Sequence, residues 1–149
     1  MAQVKILFYE PNTGQEIAGT VKEWDNAPQG KICRGVLIET DSEAVLIAPT
    51  EQEPRTIATV QYCTDGQADE NNLVWRLPTA ADLRLIRRNR RKVADALASV
   101  GDSVKLSRYW AQDPETGKYS RVLMRDGNES TVFENPARVR LVAAYKPQR

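Results

Sequence analysis

The chain contains no histidine. That removes the side chain titrating nearest neutral pH, and with it the commonest general base and the commonest transition-metal ligand. Zinc sites, and serine or cysteine nucleophiles relayed through histidine, are excluded, and no metal or cofactor is expected. Cysteine is scarce too: Cys33 and Cys63 lie thirty residues apart, and neither belongs to a CxxC pair. Reduced core thiols are the expected state, with a disulfide as the alternative. No apolar run approaches the ~20 residues needed to cross a bilayer, so membrane insertion is not expected. The opening MAQVKILFYEPNTG has one lysine and a short apolar patch cut by Glu10 and Pro11, which is not the pattern of a signal peptide. Synthesis and folding in the cytoplasm are the expectation.

What is present is an ordinary globular composition. At 149 residues, 41% hydrophobic and 28% charged, the chain is expected to form one domain with a real core. Net charge is only +1, but it is unevenly spread. Residues 1–75 carry 5 basic and 12 acidic side chains, a net of −7, and residues 76–149 carry 16 and 8, a net of +8. Such asymmetry points to contact between copies or to an anionic partner for the second half, unless both fields are simply solvated.

Along the chain, residues 4–9 (VKILFY) read as a strand followed by the turn EPNTG. Residues 15–30 are polar, read as irregular, and end in NAPQG, so residues 1–30 are expected to be an arm or attachment segment. A β-hairpin follows: KICRGVLIE, the turn TDSE, and AVLIAP. Its two strands are nearly continuous apolar runs, which places them inside a sheet. TIATVQY reads as a third strand, and residues 63–73 as loop. In the second half, SVKLSRYW, KYSRVLMR, ESTVFE and ARVRLVAAY read as strands, with Asp126-Gly127 as the best hairpin turn. The class implied is α+β, with helices between two groups of short strands.

Thr79 is a good N-cap with Asp82 at N3, a variant capping box. The apolar positions that follow, Leu83, Ile86, Val93, Leu97 and Val100, omit position 90, which is arginine. A continuous helix would drive Arg90 into the buried stripe, at a high desolvation cost. Two short helices broken near Asn89 are therefore expected, with Asn89 capping the second and Gly101 ending it.

Trp75-Arg76-Leu77-Pro78-Thr79, the capped helix, NRRKVADALASVG, Tyr109-Trp110 and the terminal VRLVAAY occur in an order that resembles a bacterial family. It is similar to the C-terminal domain of collagen-like adhesins, a C-type-lectin-like fold also seen in bacteroidal and phage surface proteins. The formylglycine-generating enzymes, with the same WRLP element, are more distant relatives. The resemblance covers about residues 30 to 145 and implies a C-type-lectin-like domain over 31–149. It implies core roles for Trp75, Leu77, Trp110 and Val142, and buried or half-buried, loop-tying roles for Arg76 and Arg140. Pro78 and Thr79 belong to the same structural element. The chain departs from the family at Ala111-Gln112-Asp113, after the YW pair, and at Ala143, where a late arginine is usual. Both departures fall near the family's ligand loops, which makes Tyr109, Gln112 and Asp113 candidate contacts.

Three chemistries can be weighed. Glu10-Pro11-Asn12 spells the EPN of calcium-dependent sugar sites, and Trp24-Asp25-Asn26 resembles its companion WND. Both precede the recognisable fold and the second is scrambled, so they read as chance matches and no metal site is assigned. A carboxylate pair could act without histidine. The acidic residues Asp65, Asp69 and Glu70 nonetheless fall in a loop, where solvation is the ordinary explanation. The formylglycine enzymes use late cysteines that this chain lacks, so a non-enzymatic role is expected. Finally, Arg84, Arg87, Arg88, Arg91 and Lys92 can share one exposed helical face suited to phosphate or sulfate. No aromatic interleaves them for base stacking, and Asp95 stands four residues after Arg91 to neutralise it.

The expectation is a non-enzymatic binding or assembly module, a homo-oligomer with a trimer first in view. It would be displayed on a particle such as a phage head fibre or capsid decoration, and would meet a protein or a surface glycan. The alternative is a cytoplasmic adaptor that binds RNA or another anion through the arginine face.

Overall fold

The computed structural model describes residues 2–145. The first apolar run forms β1 (Gln3–Glu10), which turns through Gly14 into β2 (Gln15–Gly19). Thr20 then caps α1 (Val21–Asn26) by a complete capping box with Glu23. The stretch expected to be an arm is thus built into the molecule. Alternate side chains of β1 fill both faces of a sheet, with Ile6 and Phe8 in one core cluster and Leu7 in another. The expectation that residues 15–30 are irregular is corrected by β2 and α1. Trp24 is buried and donates its indole N–H to the Ser99 carbonyl at 3.0 Å, which fastens α1 to the rest of the chain.

The expected hairpin forms as β3 (Ile32–Glu39) and β4 (Ala44–Ile47). Both strands are internal, since the first sheet runs β10-β4-β3-β1-β2. Burial on both faces explains their uninterrupted apolar sequence. Between Leu7 and Phe8 the β1–β3 register slips, pairing Leu7 with Gly35 and Phe8 with Cys33. Arg34 is the extra residue of this bulge, a device that re-aims a side chain.

Residues 52–62 differ from expectation. β5 is Gln52–Arg55, and the following TIATVQY closes into turns and a 3₁₀ segment, Val60–Tyr62, in place of a strand. Thr59 supplies the reason: its hydroxyl accepts the Thr56 N–H at 3.1 Å, one of several local side-chain bonds that compete with a ladder.

α2 (Ala80–Arg88) and α3 (Arg90–Ser99) are separate helices that meet at Asn89. Thr79 and Asp82 form the expected capping box. Arg90 is exposed, consistent with the break that keeps it off the apolar stripe. Asn89 acts differently from expectation: its amide donates to the Leu85 carbonyl at 2.9 Å and closes α2, while making no cap bond to α3. Gly101, at φ +83, ends α3 with the Gly101 N–H on the Ala98 carbonyl and the Asp102 N–H on the Leu97 carbonyl. That pair of bonds is a Schellman motif.

β6 (Arg108–Gln112), β7 (Tyr119–Leu123) and the two-residue β8 (Glu129–Ser130) form a meander, with Asp126-Gly127 in the expected turn. The terminal run, expected as one strand, is two. β9 (Ala137–Val139) lies in the second sheet, ordered β5-β9-β6-β7-β8, while β10 (Val142–Ala144) lies in the first. The chain crosses between sheets at Arg140-Leu141. The fold class is α+β. The main core holds Ile6, Phe8, Val36 and Ile47 of the first sheet, Leu83, Ile86, Val93 and Leu97 of the helices, and Tyr109, Val122 and Met124 of the second sheet's side. Each such aliphatic side chain contributes roughly 1.5–3 kcal/mol on burial.

Candidate binding surfaces

The WRLPT element and the last strand meet directly. Arg76 and Val142 exchange backbone hydrogen bonds, each 2.9 Å. The Arg76 guanidinium donates to Asp82 Oδ2 at 2.8 Å, the same oxygen that accepts the Thr79 N–H, so the motif positions its own helix start. Leu77, Pro78, Trp110 and Val142 are buried. Trp75 is half-buried, its indole N–H donating to Asp69 Oδ2 at 2.9 Å.

A polar hub joins the two sheets. Arg140, 3% exposed, donates to Asp102 Oδ2 at 2.8 Å and to the carbonyls of Ala48 and Ser103 at 3.0 and 2.9 Å. Glu51 takes Arg138 at 2.7 Å and the Tyr109 hydroxyl at 2.5 Å, with Arg140 at 3.6 Å. Burial, and then the hydrogen bond to Glu51, push the Tyr109 phenol up from its ordinary pKa. Burial also pushes Asp102 up, but N–H groups of Ser103 and Glu51 together with Arg140 outweigh it and leave the carboxyl lowered. Each of these polar atoms faces a protein partner, so the arrangement acts as a clamp between elements. Tyr109, expected as a ligand contact, belongs to this buried hub.

The other expected contacts separate. Gln112 donates from its backbone to Pro78 O and from its side chain to Gly117 O, and Asp113 Oδ1 caps the turn that follows β6. They lie at the α2 N-terminal end of the β6–β7 hairpin. The arginine run lies at the other end. There Arg84 Nε donates to Gly127 O at 3.2 Å and faces Glu129 at 3.7 Å, and Arg87 donates to Arg125 O at 3.2 Å. These two arginines hold the turn of the β7–β8 meander. Arg88, Arg91 and Lys92 are exposed and make no ion pair among the described residues, so the expected Arg91–Asp95 pairing does not form.

Two clefts were not anticipated. One, of about 360 Å³, is lined by Arg34 from the bulge, Gln52, Asp69, Asn71 and Trp75. Burial pushes Asp69 up, but N–H groups of Leu73, Trp75 and Asn71 outweigh it and lower its pKa, so this carboxylate serves to shape its own loop. The second cleft, of about 340 Å³, has Arg108, Arg121 and Arg125 in its wall. Its signal was the spacing: Arg121, Leu123 and Arg125 alternate, and Arg108 pairs across from Leu123.

The EPN tripeptide sits at the β1–β2 turn, and Trp24 of WDN is core, so the two fragments serve local structure. Among the described residues, no group of three histidine, cysteine or acidic side chains could hold a metal ion. Among them too, no helix is long and apolar enough to cross a membrane. No family model, curated protein or solved structure matches the chain.

Proposed function

We propose that this protein is a non-enzymatic binding and assembly module, with the C-type-lectin-like character that its WRLPT, YW and RLV elements resemble. It would meet an acidic protein surface through the basic face at the α2–α3 junction. The observation that carries the reading is that Arg88, Arg91 and Lys92 are exposed together without carboxylate partners, while Arg84 and Arg87 are fixed beside them. An unneutralised field of this kind attracts an opposite one and speeds its encounter. The acidic partner nearest to hand is the first half of a second copy, whose net charge is −7 over residues 1–75. Alternating contacts of this sort suit display on an assembled particle, with a homo-oligomer as the unit.

Light-scattering mass as a function of salt tests the reading. Deleting residues 1–30 would remove β1, an internal strand of the first sheet, with β2 and α1, so charge reversal at Arg88 and Arg91 is the cleaner perturbation. The parent is expected to be multimeric at about 0.05 M salt and to dissociate toward 1 M, where the screening length falls to about 3 Å. Arg88→Glu with Arg91→Glu should be monomeric throughout. A parent that is monomeric at every salt and concentration overturns the assembly reading. A tight, salt-dependent complex of that monomer with RNA would put the cytoplasmic adaptor in its place.

A further inference from the structure

Arg121 is 4% exposed and has no carboxylate partner among the described residues. One of its terminal nitrogens donates to the Asn135 carbonyl, its Nε is buried without a hydrogen bond, and its guanidinium lies 5.3 Å from the Trp110 ring centroid. A carbonyl and a ring face offset part of the desolvation, but neither supplies a counter-charge. Arg140 makes the contrast, since the same degree of burial there comes with Asp102 and Glu51.

The surroundings of Arg121 raise the positive charge. It lines the cleft of about 340 Å³ together with Arg108, Arg125, Leu106, Ser107, Leu123, Asn135 and Pro136. Three guanidinium groups therefore share a wall that contains no carboxylate. Burial, and then the charge of Arg108, lower the Arg121 pKa. Apolar side chains, Leu106, Leu123 and Pro136, share the lining with the cations, and the volume is within the range of small-molecule sites.

We propose that this cleft binds the tetrahedral oxyanion of a small monoester, phosphate or sulfate, with the oxyanion on Arg108, Arg121 and Arg125 and the organic group against Leu106 and Pro136. Planar guanidinium forks match the paired oxygens of such a group; a phosphate monoester dianion neutralises more of the cluster than a carboxylate does, and a sulfate monoester spreads its single charge over three acceptor oxygens. The cleft shares no lining side chain with the helix face assigned above, and its contact with that face is the Arg87 bond to the Arg125 carbonyl, so either assignment can fail alone.

Calorimetric titration with phenyl phosphate and phenyl sulfate, at constant ionic strength set by chloride, tests it. Saturable binding is expected in the parent. It should weaken by about tenfold or more in Arg108→Ser with Arg125→Ser, a loss of charge-assisted hydrogen bonds. Both replaced residues are exposed, and an unfolding midpoint equal to the parent's without phenyl phosphate checks that the fold is intact. Arg88→Ala with Arg91→Ala should bind as the parent does. Phenyl phosphate binding that tightens from pH 5 to 7, as its second proton leaves at about pH 6, identifies the phosphoryl ester; pH-independent preference for phenyl sulfate identifies the sulfo ester. Absence of saturable binding by both probes overturns the proposal, as does binding that survives the cleft variant. Capture of an oligonucleotide through the cleft with no phenyl phosphate binding overturns it as well.

Discussion

Arg140 Nη1 donates to Asp102 Oδ2 at 2.8 Å, joining the point where the chain passes from one sheet to the other to the loop that ends α3. Asp102 Oδ2 also accepts the Glu51 N–H at 3.0 Å, so one carboxylate oxygen ties three distant segments. The arginine is nearly sealed from water, and its attraction to Asp102 is correspondingly little screened.

Removing Asp102 should therefore be expensive. Asp102→Ala leaves a buried guanidinium short of a partner, and roughly 3–5 kcal/mol of stability should go. Arg138→Ala is the milder comparison, because its side chain is 34% exposed and Glu51 keeps the Tyr109 hydroxyl and Arg140 without it. Its loss should cost about 1 kcal/mol, near the upper value for a surface pair. Urea midpoints of the two variants check this, and similar losses in both would refute the clamp.

The acid limb of stability follows from Asp69 and Asp102. Both pKa values are lowered below the ordinary 3.8 in the folded chain. Such groups contribute stability that is fully present above the unfolded value and is lost as pH falls through the folded values. Unfolding free energy should thus be insensitive to these groups from pH 7 to 5 and should drop below about pH 4. Asp69→Asn with Asp102→Asn should start lower and fall less steeply with acid. Parallel curves for parent and variant would exclude both carboxylates as the cause.

Much of this architecture was legible in the sequence, and the failures have physical reasons. The β3–β4 hairpin, the Thr79–Asp82 box and the break before Arg90 follow from local patterns, and local bonds make them. Thr20–Glu23 carries the same capping pattern, but the helix it starts is only one and a half turns of mostly polar sequence, with no apolar stripe to mark it. The crossing at Arg140 could not be read, because VRLVAAY is equally apolar on both sides and only tertiary pairing divides it. For the site, the helix arginines stand out as a dense run in the sequence. The alternation of Arg121 and Arg125 is visible in the sequence, but the approach of Arg108 depends on strand register, which the sequence does not display.

Cys33 offers a chemical readout of burial. Its thiol is pushed up to about 11 by burial, with the hydrogen bond to the Gly35 carbonyl as a smaller influence, and Cys63 is shifted the same way. In a Cys63→Ala background, iodoacetamide should modify Cys33 at pH 8 about two orders of magnitude more slowly than an ordinary thiol, since the thiolate is the nucleophile. The rate should climb steadily up to pH 10. A rate that levels off near pH 9 would mean that the thiol is not enclosed as described.

Gly35 tests the bulge that turns Arg34 toward its cleft. A Cβ at this position would stand 2.5 Å from the Ile47 carbonyl oxygen and 2.8 Å from Leu46 Cδ1. The carbonyl belongs to the neighbouring strand β4, whose pairing with β3 leaves it no room to retreat. Gly35→Ala should therefore shift the β3–β4 ladder and destabilise the chain by about 3 kcal/mol, at the upper end of overpacking. Gly66→Ala separates this clash from backbone strain. At Gly66, φ is +71 and nothing lies within 4 Å of the added carbon, so only the left-handed backbone opposes the methyl group. That strain is worth about 1–2 kcal/mol. Thermal unfolding of the two variants should rank Gly35→Ala well below Gly66→Ala, and the reverse order would show that β4 yields at Ile47 and that the bulge is not sterically locked.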